Sequence, residues 1–295
     1  MVCRIMDRLE KAIARESCIR FSYAETTVAA KALEARHLCG PVAAMALGEA
    51  VTAAALLSAD AAGDAEAVML RMNVSGPLGG ILVEATGEGG LRGFTNRKVL
   101  GDLDGVVPVD TAEAWGRSGS VQIVTSRPGK ILNQAVLNVN PPLMRFVLAR
   151  YFNHSLQVPT ACAICVEAGS GGLISARGLL AQRMADSDAV AFVRVLECFE
   201  SGRVAARLSG PSPHGGAAVF AGLFALPEIT VRETRPLMFK CRCSRDRTLA
   251  VLDTLSREEL EERIAGGGQD ITCHMCGQTY HAAAGDLRAV LDRKA

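Results

Sequence analysis

The sequence predicts an α+β fold: an N-terminal sheet-and-helix core domain, a mostly helical linker and a small C-terminal four-cysteine module. Three observations predict it. Apolar and small residues recur at helical spacing from Val28 to Ala59, three alternating runs follow between Val68 and Asn96, and two close cysteine pairs lie near the C-terminus.

Taken in order, the first of these stretches places Val28, Leu33, Leu38, Val42, Met45, Val51, Ala54 and Leu57 on helical stripes, and its many alanines imply close packing against a sheet or another helix. Then "VMLRMNVSGPLGGILVEATGEGGLRGFTN" alternates apolar and polar residues in three runs separated by "GPLGG" and "GEGG", which reads as an antiparallel meander. Further strand-like runs lie at Val121 to Thr125, Ala135 to Val139 and Ala161 to Glu167, with a helix expected from Leu143 to Phe152. Residues 1–185 form the expected core domain. In the expected linker, 186–236, Val190, Val193, Leu196 and Phe199 share one helical stripe, "SGPSPHGGAA" breaks the pattern, and "VFAGLFAL" leads to the strand-like "EITVRETRPLMF". Residues 237–295 form the expected C-terminal module, below the size that usually builds a sufficient core of its own, so it needs a staple.

Composition excludes several classes. Thirty-two basic against 31 acidic residues give a net charge of +1, so no chain-wide field draws the protein to nucleic acid or anionic lipid. The N-terminus, "MVCRIMDRLEKAIARE", is charged every few residues and lacks the apolar run of a signal peptide, which points to a cytoplasmic protein. Val42 to Ala59 is mostly alanine and is interrupted by Glu49, too weak a pattern for a membrane span, and reads as a buried helix. No G-x-x-x-x-G-K-[ST] loop is present and "GEGGLRG" misses the dinucleotide spacing, so ATP-driven work is unsupported. "NVS" and "NHS" at Asn73 and Asn153 match glycosylation acceptors, which mean nothing without secretion.

Ten cysteines in a reducing compartment imply metal binding or redox sensing before a disulfide framework. Four are informative: Cys241-x-Cys243, 29 intervening residues, then Cys273-x-x-Cys276. Four thiolates in two close pairs match one structural tetrahedral zinc per chain, with Zn–S distances of about 2.3 Å and no open position. Gly277 permits a tight turn around the second pair. Between the pairs two short helices are expected. Ser256 and Glu259 would form a capping box for the second, Leu252, Leu255, Leu260 and Ile264 would give it an apolar face, and "GGG" at 266–268 would end it. Metal-bound thiolates are also the form that attacks peroxides, and either pair is spaced for one sulfur to resolve a sulfenic acid on the other. A Cys-x-Cys disulfide closes a very small ring, so Cys273–Cys276 is expected to form more readily. Spacing alone does not decide between a purely structural zinc and a redox-active one.

The remaining candidates read as bystanders. His274 and His281 are spare beside four cysteines. Cys162 and Cys165 face opposite sides of a strand, and Cys3, Cys18, Cys39 and Cys198 read as small apolar fillers.

"FKCRCSRDR", "LSREELEE" and "ITCHMCGQTY", in that order and spacing, resemble the C-terminal zinc module of the redox-regulated holdase chaperones of the heat-shock protein 33 family. Upstream, "LGEAVTAAALLSA", "VSGPLGGILVEATGEGGLRGF" and "LARYFNHSLQVPTA" resemble the family's core, so the likeness covers most of the chain apart from the middle. The resemblance implies a non-enzymatic protein that rests reduced, zinc-bound and inactive. Oxidants form disulfides within each pair, zinc leaves, the adjoining linker unfolds, and the freed apolar surface binds unfolding client proteins without ATP. It further implies that Cys241, Cys243, Cys273 and Cys276 are both zinc ligands and redox switch, and that the oxidised form dimerises. Two stretches depart from the family pattern. Here "SGPSPHGGAAVFAGLFAL" is poor in charge and broken by Gly and Pro, and "GLISARGLLAQRM" adds two arginines to a strand that is glycine-rich in relatives.

Three other functions compete. A zinc-ribbon nucleic-acid binder requires a basic surplus and stacking aromatics, whereas residues 237–295 hold nine Lys/Arg and nine Asp/Glu. A metalloenzyme requires an open coordination position, which four cysteines do not leave. The third is a constitutive holdase with a purely structural zinc, and it is the main alternative because of the altered linker.

Overall fold

The computed structural model describes residues 6–61, 63, 65–106, 108–169, 171–210, 216–220, 222–226 and 229–294. Cys3 and residues 211–215 of the Gly/Pro-rich break lie outside them. The chain divides into two compact units, Met1–Lys240 and Cys241–Ala295.

The first unit opens with a hairpin, β1 (Arg8–Ala14) and β2 (Ile19–Glu25), followed by helices α1 (Thr27–His37) and α2 (Pro41–Leu57). The helical stretch read from the sequence breaks where Leu38 turns left-handed, at φ 53°. The expected meander follows as β3 (Ala67–Val74), β4 (Gly80–Thr86) and β5 (Gly90–Thr95). After a short helix, α3 (Ala112–Trp115), comes the hairpin β6 (Gly119–Arg127) and β7 (Lys130–Val139), then α4 (Met144–Arg150). Strands β8 (Thr160–Gly169) and β9 (Gly172–Arg183) form a second long hairpin. Three helices, α5 (Ala189–Glu200), α6 (Arg203–Leu208) and α7 (Gly216–Phe220), precede β10 (Thr230–Pro236) and the two-residue β11 (Met238–Phe239).

Two sheets result, ordered β10-β1-β2-β9-β8 and β11-β5-β4-β3-β6-β7. Helix α2 packs against strands of both. It is buried on almost every side, which explains a composition apolar all round. By length and composition Pro41–Asp60 is apolar enough to cross a membrane, which corrects the reading of too weak a pattern; 83 % of its most apolar window is nevertheless buried inside the fold, as a core helix requires. Glu49, the interruption, accepts hydrogen bonds from Thr111 Oγ1 (3.0 Å) and Trp115 Nε1 (3.1 Å). Where α2 crosses β9, a Cβ on Gly178 would lie 2.7 Å from Thr52 Cγ2, so only glycine permits that approach.

Strand β1 carries no clear alternation in the sequence, because charges lie in the pattern. Glu10 is buried on β1, paired with Arg8 at 2.7 Å, and Lys11 pairs with Glu233 of β10 at 2.6 Å. The outer face of this sheet, with Ile19, Phe21, Leu179 and Ala181, forms a second apolar core with α5, α6 and α7. The described part of 186–236 is therefore packed on the sheet, and β10 extends its edge alongside β1.

The second unit contains α8 (Arg245–Leu249), α9 (Arg257–Ala265), the hairpin β12 (Gly268–Thr272) and β13 (Thr279–Ala283), and α10 (Ala284–Arg293). The capping box forms as expected: Glu259 N donates to Ser256 Oγ (3.2 Å) and Ser256 N to Glu259 Oε2 (2.8 Å). Its apolar core is small, with Leu252, Leu260, Ala282, Leu287 and Val290 buried.

Candidate metal centre

Both cysteine pairs sit in backbone held by local hydrogen bonds. Cys241 and Cys243 lie in irregular chain ahead of α8, whose N-cap Ser244 accepts from Arg247 N (3.2 Å), while Arg247 Nη1 donates to the Arg242 carbonyl between the cysteines (3.0 Å). Cys273 and Cys276 occupy the loop of the β12–β13 hairpin. There Cys273 N donates to Gln278 O (2.8 Å), and Cys276 N and Gly277 N both donate to Cys273 O (3.3 and 2.8 Å). Gly277 has φ 71°, so the turn uses the freedom only glycine has there.

These elements bring the four Sγ atoms within 4.8 Å of one another. Cys241 and Cys273 are 3.9 Å apart at sulfur and Cys243 and Cys276 are 3.5 Å apart. A tetrahedron with metal–sulfur bonds of about 2.3 Å has edges of about 3.8 Å, so both distances suit one zinc ion. Neither histidine belongs to the cluster among the described residues. His281 instead places Nδ1 2.7 Å from Asp270 Oδ1 across the hairpin. Burial pushes the Cys276 and Cys273 thiols upward, so without a cation these two sulfurs favour their protonated forms. A bound dication reverses this and holds thiolates.

Tyr280 adds a contact that the sequence reading did not single out. Its hydroxyl lies 3.2 Å from Cys243 Sγ, and the hydrogen bond with that sulfur pushes its pKa up to about 12. The phenol therefore stays protonated near neutrality and would donate to Cys243 once a bound dication held that sulfur as thiolate. The contact depends on the hairpin register that sets Tyr280 opposite Ile271.

Among the described residues, no other cysteine joins this group. Cys162 packs on the first core and donates to Arg145 O (3.1 Å), with burial raising its thiol to about 12. Cys165 packs on the second core, as opposite faces of one strand require. Cys39 and Cys198 also pack in apolar clusters. Cys18 does not: it occupies the β1–β2 turn with φ 48° and donates to Arg15 O (3.5 Å), which corrects its reading as a core filler.

A family model described as Hsp33 protein matches residues 7–283. A 33 kDa chaperonin of Rippkaea orientalis is 31 % identical over 301 residues, covering 97 % of this chain and 96 % of the relative. One from Geobacillus sp. (strain WCH70) is 27 % identical over 286 residues, covering 95 % and 96 %. The crystal structure of the 33 kDa chaperonin of Thermotoga maritima shares the fold at a TM-score of 0.83, with 22 % identity and coverage of 98 % and 99 %. Matched over nearly its whole length, this chain belongs to the Hsp33 family of chaperones.

Proposed function

We propose that this chain is an ATP-independent holdase, held inactive by a four-cysteine zinc site and activated by oxidation of that site. The single observation carrying the proposal is the convergence of the Cys241, Cys243, Cys273 and Cys276 sulfurs to zinc-like separations, in a chain of a chaperone family. Residues 1–185 serve as the core domain, 186–236 as the segment that moves and 237–295 as the switch. The clients are unfolding proteins, the compartment is the cytoplasm, and the oxidised form dimerises.

One zinc ion per chain supplies the positive charge that keeps four mutually repelling thiolates together in a small module. The residues do the rest. A Cys273 or Cys276 thiolate attacks a peroxide, taking one oxygen as sulfenic acid while hydroxide leaves. The neighbouring sulfur then attacks that sulfenic sulfur, water leaves, and a disulfide has formed at the cost of two electrons from the pair. Neutral disulfide sulfurs are poor ligands, so the cross-connections that ran through the site are lost.

Reduced, zinc-loaded protein should fail to prevent aggregation of a heat-unfolded enzyme, whereas peroxide with mild warming should release about one zinc per chain and confer that ability. Equal suppression before and after oxidation would favour the second reading, a constitutive holdase with a structural zinc. The close packing of α5, α6 and α7 on the sheet is the observation that favours that reading.

A further inference from the structure

Glu25 on β2 and Arg177 on β9 face each other directly across the sheet, and both are withdrawn from water, with side-chain exposures of 0 % and 2 %. Arg177 Nε donates to Glu25 Oε2 at 2.8 Å, and Tyr23 and Thr27 donate to the same carboxylate. The guanidinium has donors left over. Its Nη1 reaches outward to the carbonyls of Leu208 (2.7 Å) and Gly210 (2.9 Å), the end of α6 and the chain just beyond it. Leu208 is the last residue of α6, and its carbonyl has no partner within the helix.

Two further charged side chains of the sheet hold the same stretch. Glu167 on β8 accepts from Gly210 N at 3.2 Å, and buried Glu10 on β1 accepts from Gly216 N at 2.5 Å. Backbone on both sides of residues 211–215 is thus tied to charges projecting from the sheet. The rest of this segment meets the sheet through apolar side chains, with the Phe21 ring 5.4 Å from Phe220 and 5.0 Å from Phe224. Apolar contact of that kind is non-directional, whereas a guanidinium fork bridging a carboxylate and two carbonyls fixes one position.

We propose that Arg177, poised on Glu25, is the latch that holds the α5–α7 segment against the sheet. The inference rests on the reading above that this segment moves. A buried ion pair is stabilising only while its remaining donors are satisfied. When the segment lifts, water replaces the Leu208 and Gly210 carbonyls and solvates both charges, so the open state is not penalised by a stranded ion. The latch is therefore selective for the closed position yet releasable. It also gives a role to one of the two arginines that depart from the family's glycine-rich strand. The other, Arg183, bonds Ser187 Oγ at 2.6 Å and provides a matched control on the same strand.

The test is amide hydrogen exchange on the reduced, zinc-loaded full chain. Arg177→Met should raise exchange in 189–209 and 216–220 by roughly tenfold or more while leaving β3 to β6 protected, and Arg183→Met should match the wild type. Wild-type protection of 189–209 and 216–220 in Arg177→Met would overturn the latch, as would an equal rise in Arg183→Met. Were Arg177→Met to raise exchange everywhere, Arg177→Lys decides. Its single ammonium cannot span all three acceptors, so a rise confined to the segment supports the latch, and either no rise or a uniform rise overturns it. Aggregation suppression by the same samples without oxidant reports separately on the functional reading. Raised exchange without gained suppression leaves the latch standing and counts against the proposed function.

Discussion

Tyr280 and Cys243 are 37 positions apart in the chain, yet one hydrogen bond between them distinguishes Cys243 from the other sulfurs of the site. A phenol donating to a thiolate orients the ligand and stabilises its charged form. Tyr280→Phe should therefore keep the fold and all four sulfurs but bind zinc roughly tenfold more weakly, measured by competition with a chromophoric chelator; unchanged affinity would reduce the contact to packing. The four cysteines were legible in the sequence because short spacing and metal geometry are both local, whereas Tyr280 required the register of a hairpin that the sequence reading did not contain. Glu49 makes the same point in the first unit. Read as an interruption of an apolar run, it is a carboxyl group whose burial, opposed by the Thr111 and Trp115 hydrogen bonds, raises its pKa from 4.5 to about 7. Arg145 and Asp110 nearby act in opposite directions on it. Between pH 4.5 and about 7 the folded state keeps a proton that the unfolded chain has released, so stability present at low pH is lost as pH rises through that window. In Glu49→Gln this fall should flatten. Trp115, the one tryptophan in the chain, should report it directly, with a fluorescence titration near pH 7 in wild type and none in the variant.

Elements were legible in proportion to how purely local their determinants are. The meander of β3, β4 and β5 alternates apolar and polar residues between glycine turns, and its boundaries follow from that pattern alone. The helix α9 announces itself through Ser256 and Glu259, whose reciprocal bonds satisfy orphan donors of its first turn. Ser256→Ala should accordingly destabilise the zinc-loaded second unit by about 1 kcal/mol, read as a roughly fivefold rise in exchange of the α9 amides. An unchanged rate would mean that packing of Leu260 alone holds the helix. In contrast, β1 was missed because Arg8, Glu10 and Lys11 place charges where an alternating strand would carry apolar side chains, and β10, which pairs with it, lies more than 200 residues away. The same applies to α6, whose end is fixed by Arg177 rather than by any capping signal of its own. Helix α10 was missed for another reason: Asp286 caps it by accepting from Ala283 N (2.9 Å), three residues after a strand pattern that the cysteines overshadow.

At the scale of the whole molecule, the two units differ in what holds them. The first has two extensive apolar cores and a helix enclosed on nearly all sides. The second, Cys241–Ala295, has among its described residues five buried apolar side chains in its core besides the buried Cys276, too few for 55 residues to offset their chain entropy alone. A structural zinc in a small module contributes on the order of 10 kcal/mol, comparable to the entire net stability of about 5–15 kcal/mol that an ordinary domain possesses. The two units should therefore respond oppositely to metal removal. When the reduced protein is treated with a strong chelator, exchange in 245–293 should rise toward the rate of an unfolded chain, while 67–127 keeps its protection. Adding zinc back under reducing conditions should restore the original pattern. Protection of Leu252, Leu260 and Leu287 that survives chelation would show that the apolar cluster suffices, and chemistry at the four sulfurs would then have no means of unfolding the module.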